Sequence, residues 1–160
     1  MTTDAVVKRP SIPAIVPVLN PLIRRLLRVG MPMGPNALVT IRGRRTGEPR
    51  TFPAAVMEAG DRRYLVATFG ETNWVRNLRV SGEATIRRGR TTATFRATEV
   101  PADRAATVLR DALARFVRLP FTSPLLTRWY GLTRSSTDSD YQQAALVHPV
   151  FELVAADAPR

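Results

Sequence analysis

The chain has 160 residues, 44% hydrophobic and 23% charged, enough to bury one core with no length left for a second. Cysteine is absent, which excludes disulfide frameworks, thiolate nucleophiles and cysteine metal sites. The 24 basic residues outweigh the 13 acidic ones to give +11, with Lys8 the single lysine, so the expected partner is an anion: phosphate, carboxylate, nucleic acid or an acidic lipid surface.

In chain order, MTTDAVVKRP lacks the apolar core of a signal peptide, and no window holds the roughly 18 apolar residues of a membrane span. A cytoplasmic location is the expectation. Prolines at 10, 13 and 17 argue for an extended arm rather than an early helix. Asn20-Pro21 then offers an N-cap and a first-turn proline, Leu22, Ile23, Leu26 and Leu27 fill one face, and Gly30 supplies a stop, which predicts a short helix over 21–29. Arg24, Arg25 and Arg28 lie opposite that face, a pattern compatible with an anionic membrane surface through residues 20–30 or with ordinary docking onto the core.

From Asn36 the period changes. NALVTIR, PRTFPAAVM, RRYLVAT, EATIRR and TTATFRATEV read as strands of an antiparallel meander. NWVRNLRVSG has helical spacing, with Asn73 as the expected cap and Gly82 as the end. ADRAATVLRDALARFV sets Val108, Leu109, Ala112, Leu113, Phe116 and Val117 on one face of a core-packing helix. The stretch from Leu119 to Leu146 is less regular, with helical fragments and turn residues, and HPVFELVA returns to a strand pattern that re-enters the sheet. His148 has no ligand partners near it and precedes Pro149, so its reading is structural. Together the elements predict an α+β fold, a single domain in which a partly closed antiparallel barrel is covered by flanking helices. The expected divisions are an arm and amphipathic helix over 1–35, a barrel domain over 36–154 and a tail over 155–160.

The segment IRGRRTGEPRT, residues 41–51, joins two strands through a turn that carries Arg42, Arg44, Arg45 and Arg50, with Gly43 and Gly47 able to take positive φ. Backbone amides in such a turn form an anion-binding concavity, and arginine forks add bidentate bonds to phosphate or carboxylate. A solvated basic hairpin without a ligand has the same composition.

Three motifs in order carry a resemblance: Gly43, Arg44, Arg45, Thr46 and Gly47 with Arg50 and Pro53; then Thr68 and Gly70; then Trp74, Asn77 and Leu78. Over about residues 36–100 the chain resembles the deazaflavin-dependent nitroreductase family. The resemblance implies a split β-barrel that holds F420, a 5-deazaflavin with a phosphodiester and an oligoglutamate tail. It further implies that Arg44, Arg45 and Arg50 meet phosphate and tail carboxylates, with Thr46 and the amides at Gly47 helping. Thr68, Phe69 and Gly70 would line the deazaflavin, and Trp74 and Asn77 would border it, although both residue types also serve ordinary cores. Where the family commonly has a Ser-Lys-Gly-Gly loop, this chain has Thr68-Phe69-Gly70-Glu71 and a shorter path to Trp74.

The implied activity is F420H2-dependent hydride transfer to a small or lipophilic acceptor such as a quinone, enone or nitro compound. Such chemistry needs positioning rather than a catalytic dyad, which suits a chain with one histidine and no thiol. Tyr141 falls where the family carries a tyrosine over the substrate, and is the expected proton donor, with Tyr130 second. The alternatives are a non-catalytic lipid or fatty-acid binder on the same fold, membrane-associated, and a nucleic-acid-binding barrel. An aromatic stacking platform for the latter is not apparent, so no specific nucleic acid is expected.

Overall fold

A computed structural model describes residues 15–31 and 34–156, with side chains described from residue 19 onward. The expected arm over residues 1–14 and the last four residues of the tail lie outside that range. Helix α1 (Ile15–Arg28) precedes strands β1 (Asn36–Arg42), β2 (Pro49–Ala59) and β3 (Arg62–Val66). Helix α2 (Asn73–Ser81) leads into β4 (Glu83–Arg88) and β5 (Thr91–Glu99), followed by α3 (Ala102–Val117), α4 (Ser123–Tyr130), α5 (Asp138–Val147) and β6 (Val150–Ala155). The strands close into an antiparallel barrel in the order β1-β2-β3-β6-β5-β4, so the domain is α+β, as the strand pattern predicts.

Two apolar cores share the barrel wall. Inside it, Val39, Ile41, Val56, Leu65, Ile86, Phe95 and Phe151 pack together, and Val75 and Leu78 of α2 plug one end. Outside it, Met57, Tyr64, Val66 and Val150 lie under the apolar faces of α3, α4 and α5. β3 is therefore buried on both faces, which is why RRYLVAT reads as a run rather than an alternation. Alanines 37, 67, 84 and 97 are the small residues that let a six-stranded barrel close over its own side chains.

β2 is paired unevenly. Its residues 49–55 pair with β1, whereas pairing with β3 begins only at Ala55. Residues 49–54 therefore form an edge, and Pro53 is tolerated because no neighbour there needs its missing N–H.

Four sequence expectations shift. α1 starts at Ile15, not after Asn20, and continues through Pro21; the expected extended arm therefore gives way to helix from residue 15. Pro21 removes one backbone hydrogen bond, yet the helix runs through it. Gly30 ends α1 as expected, with φ 84°, its amide bonded to Leu27 O and that of Met31 to Leu26 O. α2 is preceded by Thr72 in extended conformation rather than capped by Asn73, and no side-chain bond closes its N-terminus. The irregular stretch resolves into α4 and α5, the latter opened by a capping box between Thr137 and Asp140. Of the two hairpin glycines, Gly47 has φ 70° but Gly43 does not have positive φ. A Cβ on Gly43 would lie 3.3 Å from both Glu48 O and Thr46 Oγ1, so close approach explains that glycine.

His148 closes α5 and is 2% exposed. Its Nδ1 lies 3.0 Å from Ala67 O; a carbonyl can only accept, so Nδ1 carries the proton. Burial pushes its pKa below the ordinary 6.5, against the raising effect of bonds to the Ala67 and Thr68 backbone. The folded state then binds fewer protons than the unfolded one just below that value, so stability falls as pH drops through it. Denaturant titrations between pH 7.5 and 5 are expected to show this loss, and His148→Gln to flatten it; an unchanged slope in the variant would assign the acid sensitivity elsewhere.

Candidate functional site

The β1–β2 hairpin is held from inside and from below. Gly43 donates to Glu48 O at 2.8 Å and Gly47 to Gly43 O at 2.8 Å, while Glu48 N–H reaches Thr46 Oγ1 at 3.3 Å. Asn77 of α2 is nearly buried, and its Oδ1 accepts both the Arg44 backbone amide at 3.3 Å and Arg44 Nη1 at 2.8 Å. Asn77 thus locks the hairpin onto α2. The backbone amides of Arg45 and Thr46 find no acceptor among the described residues, which leaves them available to an anion.

Beside this hairpin lies an open groove of about 850 Å³, lined by Arg24, Arg44, Arg45, Thr46, Arg50, Thr51, Phe52, Asn73, Trp74, Arg76 and Asn77 among others. Its lining has five arginines and no carboxylate. Arg50 has an exposed partner in Glu48 at 3.5 Å and Arg76 one in Glu71 at 3.2 Å, contacts that water screens and that a stronger anion can displace. Further along the free edge of β2, with Trp74 as a shared wall, lies an apolar recess of about 200 Å³, bordered by Asn20, Ile23, Pro53, Ala54, Thr68, Phe69 and Trp129. Trp74 belongs to both parts. Its ring stacks on Phe52 at 5.5 Å and tilts against Phe151 at 6.1 Å, so it is a rigid wall anchored in the inner core.

The recess is floored by a polar pair. Thr68 Oγ1 lies 2.8 Å from the Tyr130 hydroxyl, and the Tyr130 ring packs on His148 with centroids 4.4 Å apart. Burial pushes the Tyr130 pKa up to about 12, partly offset by the Thr68 bond, so the phenol keeps its proton at neutral pH. Phe69 meets Trp129 edge-on at 5.6 Å.

Most of the residues singled out in the sequence converge here: Arg44, Arg45, Thr46, Arg50 and Asn77 at the basic end, Thr68 and Phe69 at the apolar end, and Trp74 between them. Gly47 instead faces a hollow on the other flank of the hairpin. Gly70 borders a third hollow, whose charged residues Glu71, Glu99, Arg76 and Arg79 pair with one another. Tyr141 is not brought to the groove. It packs in the outer core of α3 and α5, where the charges acting on it are Arg110 and Asp140. Arg24, Arg76, Phe52 and Trp129 escaped the sequence reading. Arg24 stood opposite the apolar face expected to dock, and Trp129 in a stretch without clear period.

The described residues include no cluster of histidine and carboxylates fit to hold a metal. The fit of the groove is to an elongated molecule with an anionic tail and a flat apolar head.

Comparison with known proteins agrees with that shape. A family model described as F420H(2)-dependent quinone reductase matches residues 26–118, more than half of the chain. No curated protein matches the sequence. Among solved structures, an F420-H2 dependent reductase (FDR-A) is similar at 18% identity, covering 75% of this chain and 94% of its own, with a TM-score of 0.50. A domain-swapped dimer is similar at 16% identity, 84% and 95% coverage and a TM-score of 0.53. A Bacteroides thetaiotaomicron protein, a candidate for 5-nitroimidazole antibiotic resistance, gives 12%, 84% and 80%, and 0.52. At these identities the structures support the barrel fold, while the sequence match carries the family. The chain belongs to the F420H2-dependent quinone reductase family, an oxidoreductase family whose cofactor is coenzyme F420.

Proposed function

We propose that this reductase holds F420H2 along the free edge of β2 and passes its hydride to a flat, lipophilic acceptor, such as a quinone, at the apolar end of the groove. The observation that carries the reading is a carboxylate-free, five-arginine groove set beside an apolar recess across the shared wall of Trp74. In this reading Arg44, Arg45 and Arg50 grip the phosphodiester and tail carboxylates through charge-assisted bonds, and the amides of Arg45 and Thr46 add neutral donors. Gly47 supplies the turn that presents them. Asn77 acts by fixing Arg44. Thr68 and Phe69 border the ring system, and Gly70 gives the loop its bend with φ 69°.

The reduced deazaflavin supplies a hydride from C5, and the acceptor takes up one further proton to complete the two-electron reduction. That proton can come from Thr68 Oγ1, which takes the Tyr130 proton in turn, and the tyrosinate left behind, disfavoured by burial, is reprotonated from solvent back through Thr68 once the product leaves. The side chains of Ile23, Phe69, Trp74 and Trp129 keep water from the reacting face. The proton-donor role expected of Tyr141 passes to Tyr130, the tyrosine in contact with a groove residue.

A second surface bears on the acceptor. On α1 and the turn that follows it, Ile23 and Leu27 turn inward, while Leu19, Leu22, Val29 and Met31 are exposed next to Arg25 and Arg28. An apolar stripe flanked by cations suits the interface of an acidic membrane, from which a lipophilic acceptor would enter. No helix of the described residues is long and apolar enough to cross a membrane.

Fluorescence titration with F420 is expected to saturate, and Arg44→Ala or Arg50→Ala to weaken binding by roughly tenfold each, with affinity falling as salt rises. Equal affinity in both variants would place the cofactor elsewhere. Tyr130→Phe is expected to slow quinone reduction by about 100-fold at unchanged F420 affinity; full turnover would remove it from the proton path. Leu22→Glu with Val29→Glu should abolish cosedimentation with phosphatidylglycerol vesicles, and wild-type protein that stays in the supernatant would refute the membrane reading.

A further inference from the structure

α1 forms one wall of the groove. Its inward stripe is Asn20, Ile23, Arg24 and Leu27, at the three-and-four spacing of one helical face. Asn20 and Ile23 border the apolar recess, and Arg24 borders the basic end. Yet α1 is lightly docked: of its described side chains, Leu27 alone is buried, and the tie at its C-terminal end is a bond from Arg87 Nη2 to Arg28 O at 3.0 Å. One turn back from that tether, Arg24 Nε is shielded from solvent and has no hydrogen-bond partner among the described residues. A buried guanidinium donor without an acceptor is unfavourable, and more so with Arg44, Arg45, Arg50 and Arg76 around the same groove.

We propose that Arg24 is a cofactor-binding residue, donating from Nε to a phosphate or tail carboxylate of F420, and that this bond clamps α1 onto the groove as a wall the cofactor completes. The inference rests on the groove reading above. Since the same anion satisfies Arg24 and neutralises the surrounding arginines, it binds the docked state of α1 better than the undocked one, and docking and binding promote each other. A deazaflavin that lacks phosphate and glutamates offers Arg24 no acceptor and leaves α1 as it was. α1 also shapes the apolar recess through Ile23, so a clamped helix fixes the acceptor site only after the cofactor is in place.

The test pairs affinity with hydrogen exchange. Arg24→Gln is expected to bind F420 roughly tenfold more weakly than wild type, the loss of one charge-assisted bond, and to bind the tail-less deazaflavin equally well. In the wild type, saturating F420 is expected to slow amide exchange across residues 22–28 at least tenfold, whereas the tail-less compound does not. If wild type binds F420 and Arg44→Ala weakens it, but Arg24→Gln binds normally and α1 exchange is unchanged, the clamp is wrong and the groove stands. If the wild type does not bind F420, or Arg44→Ala leaves binding untouched, both fall. Should Arg24→Gln fail to fold in a thermal melt, the wild-type exchange comparison between the two ligands decides alone.

Discussion

The way β2 is paired sets the position of everything else. For residues 49–54 the strand has β1 on one side and no strand on the other, because β3 joins it only at Ala55. A closed barrel of this size is filled by its own side chains and has no room inside for a cofactor. The site must therefore lie on the wall, and an edge offers two things a continuous sheet does not: unspent backbone groups and a gap that other elements can border. Here α2 brings Trp74, the loop after β3 brings Thr68 and Phe69, α4 brings Trp129, and α1 closes the far side. Pro53 sits in the middle of the edge and lacks the N–H that would invite another strand, so the gap stays open to ligand rather than to aggregation.

Charge is distributed along that edge in a way that the total of +11 does not reveal. Some arginines elsewhere are offset locally: Arg79 bonds Glu99 at 2.6 Å, Arg62 bonds Glu152 at 2.8 Å, and Arg110 bonds Asp138 at 2.6 Å. At the hairpin the offset is missing or weak, and Arg44 is bonded to the neutral Asn77. A neutral acceptor orients a guanidinium without consuming its charge, so the fork keeps its field for a ligand. An arginine held by a neutral amide and one held by a carboxylate therefore offer a ligand different fields.

This difference also explains what could be read from the sequence. Strands and α3 were legible because one-sided burial imposes period two or three-and-four on residues such as Val39, Ile41, Leu109 and Leu113. The arginine hairpin was legible because turn chemistry and charge are contiguous. α5 was not, since its face against α3 uses alanines 144 and 145 with Tyr141, which carry little hydrophobic signal. The start of α1 was missed because prolines 17 and 21 score against helix locally, whereas docking against β1 and β2 is a tertiary effect. Arg24 and Trp129 reach the groove from 17 or more positions away from the hairpin segment 41–51, and only topology brings them there. Tyr141 was favoured over Tyr130 on resemblance; which phenol meets Thr68 depends on how α4 and α5 pack, and no local pattern encodes it.

The polar floor of the recess adds a final constraint. Thr68 is held from two directions, by the Tyr130 hydroxyl and by His148, which bonds the preceding carbonyl of Ala67 and packs on the Tyr130 ring. Since His148 is buried and neutral, it anchors the loop without placing a charge beneath an acceptor that becomes anionic on reduction. A protonated histidine there would stabilise that anion and also the negative end of any bound carboxylate, blurring the distinction between tail and acceptor ends. In the proposed reading, cations kept at the far end of the groove would orient an ionic tail and an apolar head in one direction, and this separation, maintained by the wall of Trp74, would let a chain without a catalytic dyad place a hydride donor against its acceptor.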